Sequence, residues 1–208
     1  MTPVLLLVHG WGFDSGFWWP LTRRLADWPV VAWDLGFHGQ PNFPALPKGR
    51  PVVAVGHSFG LLWLMRERPL EWKALVSING FSRFSRAGDF PEGVPPRLLE
   101  RMMARLDQSP EAVHGEFMTR CGVAKPCSGD LSAVSLMGGL HALAEWDCRS
   151  GPKVDLALAG REDPILPAAM TEALFAGTPI EWQDGGHLLP LTAPDWCAGR
   201  LRRFVENV

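Results

Sequence analysis

A serine, an aspartate and a histidine occur in this chain in settings suited to acyl transfer. Ser58 is centred in Gly56-His57-Ser58-Phe59-Gly60, directly behind the apolar run Pro51-Val52-Val53-Ala54-Val55. Asp163 stands in Gly160-Arg161-Glu162-Asp163-Pro164, after Val154-Asp155-Leu156-Ala157-Leu158-Ala159. His187 ends Gly185-Gly186-His187, after Ile180-Glu181-Trp182-Gln183. A serine hydroxyl is a weak nucleophile until a base takes its proton, and an imidazole base works best when a carboxylate fixes its tautomer. All three residues fall just past a strand-like run, where the ligand crevice of an open α/β sheet forms.

The glycines two residues either side of Ser58 suit a strand that turns abruptly into a helix, a strained corner with no room for side chains. Such a turn exposes the hydroxyl and aims the Phe59 N–H, at the helix N-terminus, toward a developing oxyanion. His57 adjoins Ser58 but points away from its hydroxyl, so it reads as a packing or pocket-wall residue and His187 as the base. Among carboxylates near His187, Asp155 is expected inside a strand and Asp184 too close in sequence to face the imidazole. Asp163 remains, with helix capping near residue 167 as its alternative role. His9-Gly10-Trp11-Gly12 follows the first strand. Its glycines would let the Trp11 N–H join that of Phe59 as a second oxyanion donor, each worth about 3 kcal/mol. The Trp11 ring would line an acyl pocket, with Phe59, Phe81 and Leu188 as further substrate contacts. His9 reads as a structural hydrogen-bonding residue beneath this loop. The loop Asp34-Leu35-Gly36-Phe37-His38-Gly39 lacks the spacing of a phosphate cradle and reads as a structural turn.

These loops require a sheet to carry them. Strand-like runs at residues 3–8, 30–34, 52–55, 74–78, 154–159 and 180–183 alternate with helical segments at 16–27, 59–68, 167–176 and 194–206. That alternation predicts an α/β fold with a mainly parallel sheet of about six strands, flanked by helices. Residues 82–150 break the pattern with helical segments at 95–106, 110–121 and 131–146. They read as a helical lid inserted into a core made of residues 1–81 and 151–208. The 208 residues suit one domain, and a formal net charge of −2 gives no case for nucleic acid or an anionic membrane. No apolar run approaches the roughly 18 residues of a membrane span, and Val4–Val8 reads as a strand rather than a secretory leader. The 4 cysteines have no metal or CxxC spacing. A cytoplasmic protein with reduced thiols and no metal or organic cofactor is therefore expected. With 0 tyrosines, no phenol can act as acid, base or oxyanion donor.

Taken with Pro190, Pro194 and Asp195, these motifs resemble the α/β-hydrolase superfamily across nearly the whole chain. The order nucleophile, acid, histidine matches too, although the chain begins at what would normally be that fold's third strand. More narrowly, His9-Gly10-Trp11-Gly12 with Gly56-His57-Ser58-Phe59-Gly60 and a helical lid looks like the pimeloyl-acyl-carrier-protein methyl ester carboxylesterases of biotin synthesis. His57 stands where relatives can carry a bulkier aromatic. The resemblance implies Ser58, Asp163 and His187 as a triad, Trp11 and Phe59 as oxyanion donors, and an acyl carrier protein as possible partner. On the lid, Arg97, Arg101 and Arg105 recur every four residues beside an apolar face of Leu98, Leu99, Met102, Met103 and Leu106. Arg83, Arg86, Arg120 and Lys125 add charge. An acidic carrier protein would suit that stripe, although Glu100, Asp107 and Glu116 could equally make it a solvated face. The expected activity is a serine carboxylesterase. A general short-chain esterase, thioesterase or carbon–carbon bond hydrolase of the same fold stands as the alternative. A non-catalytic binding protein would have no need of the three residues.

Overall fold

The computed structural model describes residues 2–124 and 130–207, so Lys125 and Cys127 lie outside the described residues. Val4–Val8 forms β1, and all five residues are buried. A run with no polar face fits only a strand covered on both sides. β1 lies inside a parallel sheet completed by β2 (Val30–Trp33), β3 (Val52–His57), β4 (Ala74–Ile78), β5 (Leu156–Gly160) and β6 (Ile180–Gln183). The order across the sheet is β2-β1-β3-β4-β5-β6, and every neighbouring pair is parallel. The edge strands β2 and β6 are only partly buried for most of their length. Register aligns Val8 with Gly56 and Gly56 with Ser77, so the loops after β1, β3 and β4 leave the sheet side by side.

The helices that cover the sheet follow their apolar spacing. α2 (Phe59–Glu67) buries Leu61, Leu62, Leu64 and Met65, and α8 (Pro194–Glu206) buries Cys197, Ala198, Leu201 and Val205. The long helix expected over residues 16–27 is instead a short 3-10 helix, Ser15–Trp18, followed by α1 (Trp19–Arg24). Pro20 lacks an N–H and cannot continue a helix from upstream, but it suits the first turn of a new one. β5 begins two residues later than expected, which takes Asp155 out of the strand; its carboxylate accepts the Leu75 N–H at 2.9 Å.

Between β4 and β5 the described residues form three helices, α3 (Pro96–Leu106), α4 (Pro110–Cys121) and α5 (Ala133–Glu145). The two ends of this insertion meet. The Cys148 N–H donates to Ser82 O at 2.8 Å, and Arg83 pairs with Asp147. Arg149 joins Asp147 to Asp89, while Arg86 donates to Gly93 O at 3.1 Å. Arg83 and Arg86 are thus engaged in joining loop to loop rather than forming part of an open basic patch. Two elements complete the fold, α6 (Ala168–Leu174) and a short α7 (Leu189–Thr192) that the sequence reading left out. Cys121, Cys148 and Cys197 are buried free thiols, and burial pushes Cys197 up to about 12. No helix among the described residues is long and apolar enough to cross a membrane.

Candidate active site

Ser58 is the single residue between β3 and α2, with φ 53° and ψ −125°. That conformation is costly for a residue with a side chain, and it survives because both flanks are over-determined. A Cβ at Gly56 would lie 2.4 Å from Leu61 Cα, and one at Gly60 would lie 2.2 Å from Val8 O. Only glycine lets the strand, the corner and the helix pack this closely.

The serine meets its expected partners. His187 Nε2 lies 3.0 Å from Ser58 Oγ, and His187 Nδ1 donates to Asp163 Oδ2 at 2.8 Å. With the Nδ1 proton committed to the carboxylate, Nε2 is left to accept the serine hydroxyl. All three side chains are buried. The other oxygen of Asp163 accepts the Ile165 and Leu166 N–H groups at 2.7 and 2.9 Å. Asp163 does not cap the helix as its alternative role had it, since α6 starts at Ala168 with Pro167 as its cap; its second oxygen instead ties down the turn before that helix. Burial alone would raise the Asp163 pKa, but the adjacent His187, its hydrogen bond and the two N–H donors hold it below the ordinary value.

Asn79 is a member of this cluster that sequence reasoning passed over. It follows β4 with φ 46°, and its Nδ2 donates to Asp163 Oδ2 at 2.6 Å. The available signal was positional: Asn79 is a polar residue just beyond an apolar strand, on the same rim as Ser58 and Asp163. His57, in turn, does not approach the serine hydroxyl. It is fully buried, its Nε2–H donates to the His187 carbonyl at 2.9 Å, and its ring packs on Phe17 with centroids 4.4 Å apart. Burial first, and then the neighbouring His187, push its pKa well below the ordinary histidine value. His57 thus holds the backbone of the candidate base while staying neutral.

The backbone N–H groups of Trp11 and Phe59 have no protein acceptor among the described residues. His9 lies beneath this loop as expected, accepting the Leu35 N–H at 3.0 Å on Nε2. Asp34 stabilises the neighbouring turn through the N–H groups of Ser15 and Gly36. Burial opposes its ionised form, yet the Ser15 and Gly36 N–H donors hold its pKa well below the usual range.

The Trp11 side chain donates to Leu136 O at 2.9 Å and lines a narrow cavity of about 40 Å³, together with Phe84, Leu99, Met102, Phe117 and Ile165. Phe59 faces a separate depression beside Phe37 and Trp146. Phe81 and Leu188 are buried, and neither lines the Trp11 cavity; Phe81 packs against Phe84, which does. On α3, Arg97, Arg101 and Arg105 are all exposed. Arg105 forms a two-pronged pair with Glu116 at 2.7 and 2.6 Å, whereas Arg97 and Arg101 form no ion pair within the described residues. No cluster of three or more His, Cys, Asp or Glu among the described residues could hold a metal ion.

No family model matches the chain. An esterase from Exiguobacterium antarcticum superposes with a TM-score of 0.82 at 17% identity, covering 98% of this chain and 92% of that one. A bromoperoxidase from Bacillus anthracis gives 0.80 at 16% identity, covering 99% and 92%. The chain has the α/β-hydrolase fold. Among curated sequences, a pimeloyl-[acyl-carrier protein] methyl ester esterase of Xanthomonas campestris pv. campestris is 29% identical over a 241-residue alignment. That alignment covers 98% of this chain and 95% of the relative. Full-length likeness to named esterases on this fold makes the chain a carboxylic-ester hydrolase.

Proposed function

We propose that the chain is a serine esterase that removes the methyl group from a pimeloyl ester carried on acyl carrier protein, in biotin-precursor synthesis. The hydrogen-bonded relay from Ser58 through His187 to Asp163 carries the mechanism. Ser58 Oγ attacks the ester carbonyl as His187 Nε2 takes its proton, and the Trp11 and Phe59 N–H groups receive the oxyanion. As the carbonyl re-forms, the bond to the methoxy oxygen breaks and methanol leaves with the proton from His187. Water then attacks acyl-Ser58, again with His187 as base, and releases the carboxylate. These side chains complete the cycle without a metal or organic cofactor.

The insertion supports the choice of substrate. It acts as a lid over the crevice, and α3 and α4 bound an outer groove of about 220 Å³ that includes Arg101, Arg105 and Arg120. Leu98, Met102, Phe117 and Arg120 are walls of both this groove and the inner Trp11 cavity. A flexible methionine among so few separating side chains gives a route inward for an acyl arm from a partner docked outside. An acidic carrier protein is the partner that suits exposed arginines at the mouth of that route. The name of the full-length relatives agrees with this substrate. We assign the reaction to the cytoplasm, where Cys121, Cys148 and Cys197 would stay reduced.

The test is methanol release from the carrier-linked pimeloyl methyl ester by wild type and by Ser58→Ala. Hydrolysis by wild type alone is expected. Turnover of small esters but not the carrier-linked one would leave a general short-chain esterase, and an active Ser58→Ala would sink the mechanism.

A further inference from the structure

One carbonyl in the loop after β1 accepts hydrogen bonds from two imidazoles that belong to other parts of the chain. His38 Nε2, in the loop after β2, lies 2.9 Å from Gly12 O, and His114 Nε2, on α4, lies 2.7 Å from it. A carbonyl oxygen only accepts, so both Nε2 atoms carry hydrogen. The two rings meet edge to face with centroids 5.3 Å apart. The other side of the same peptide is also held, because the Phe13 N–H donates to Gly10 O at 3.3 Å. That bond closes a turn with Trp11 and Gly12 at its corners, and Gly12 takes φ 74° there. A Cβ on Gly12 would lie 2.8 Å from the His114 ring and 2.9 Å from Met118, so α4 presses directly on the turn.

A planar peptide fixed at both its N–H and its C=O cannot rotate. Its orientation sets the turn, and the turn sets where the Trp11 N–H points. One of the two imidazoles comes from the inserted helices and the other from the sheet side, so the turn is gripped between core and insertion.

We propose that His114 is a positioning residue for the oxyanion site: with His38 it clamps the Gly12 carbonyl and so makes the Trp11 N–H effective only while α4 is seated on the crevice. This inference rests on the ester-hydrolase reading above.

The experiment compares His114→Phe, which keeps a ring but loses the donor, with His114→Gln, which returns an N–H. Each is assayed for kcat and KM on p-nitrophenyl butyrate, and for inhibition by an aliphatic trifluoromethyl ketone. Such a ketone adds to the serine and leaves an oxyanion where the ester's would form. His114→Phe is expected to lower kcat about tenfold with KM within about twofold, to weaken ketone inhibition by a similar factor, and to be largely rescued by Gln. If His114→Phe does not fold, His38→Phe removes the other donor and is expected to give the same pattern at about threefold. Wild-type kcat and ketone affinity in the foldable Phe variant would overturn the clamp. So would a kcat loss with unchanged ketone affinity, or a Gln variant as impaired as Phe. Ser58→Ala separates the two readings: its activity would overturn the esterase mechanism itself, whereas its inactivity beside a fully active His114→Phe would overturn only the clamp.

Discussion

Asn79 donates to the same oxygen of Asp163 that His187 uses, at 2.6 Å against 2.8 Å. The carboxylate is therefore held from two sides, and its direction toward the imidazole does not depend on His187 alone. Asn79→Gly keeps the positive φ accessible while removing this charge-assisted bond, and should lower kcat about tenfold, the equivalent of about 1.4 kcal/mol. Asn79→Asp should cost more, because two carboxylates at that separation cannot both stay ionised. Steady-state kinetics at neutral pH, with Tm recorded for each variant, checks both. Equal activity of wild type and Asn79→Gly would show that the bond has no part in turnover.

The serine relay should behave as one unit. Ser58→Ala and His187→Ala should each lower kcat by about a thousandfold or more, and the double variant should be no worse than either single one. The measurement is residual hydrolysis of an activated ester. Multiplicative losses in the double variant would mean that the two residues act independently, contrary to their 3.0 Å contact.

Stability should fall toward acid in two stages. Burial lowers the His57 and His114 pKa values in the fold. Below pH about 6.5 the unfolded chain takes up protons on these rings that the folded one refuses, so stability declines as pH drops. Asp163 and Asp34 are shifted the other way for the charge they carry, with pKa values below the ordinary one. Their contribution is complete above about pH 4 and is lost below it, as pH falls toward their folded values. Urea unfolding from pH 8 to pH 3 checks this. The stability gap between wild type and Asp34→Asn should narrow only below about pH 4, and a gap that closes by pH 6 would contradict the carboxylate assignment.

The α3 arginines should not be equivalent. Arg97→Glu with Arg101→Glu should lower kcat/KM on a carrier-linked ester, mainly through association, and the loss should shrink as salt screens charges beyond about 8–10 Å. Arg105→Glu should matter less for docking, since its guanidinium is already committed to Glu116. Small-ester turnover should change little in either case. Parallel losses on both substrates would point to damaged packing of α3.

The parts legible in sequence were those with a local steric cause. Apolar runs marked most of the strands, β1, β2 and β3 above all, and the paired glycines marked the corner at Ser58, because each pattern has one structural solution. Asn79, His38 and His114 were not legible for a common reason. Each acts on a group far away in the chain, Asp163 or Gly12, and no local spacing records such a meeting. The boundary of β5 was placed two residues early because Val154 is apolar and buried like the strand that follows it, so the apolar pattern outlasts the ladder. The division of the basic stripe was hidden likewise, since Arg105 finds Glu116 on another helix.

The closure of the insertion between Ser82 and Cys148, fastened beside it by Arg83 and Asp147, means that the segment leaves and re-enters the sheet through one doorway. Whatever lies between those posts can change in length or sequence without pulling β4 from β5, since joining two ends already held together adds little closure entropy. The scaffold is thus suited to grafting: a different helical cassette, cut at residues 83 and 147, could be set over the same serine to give it another clientele. Such an exchange would have to bring its own partners for the Gly12 carbonyl and the Trp11 indole N–H, so a transplanted cassette must match the loop after β1 as well as two ends.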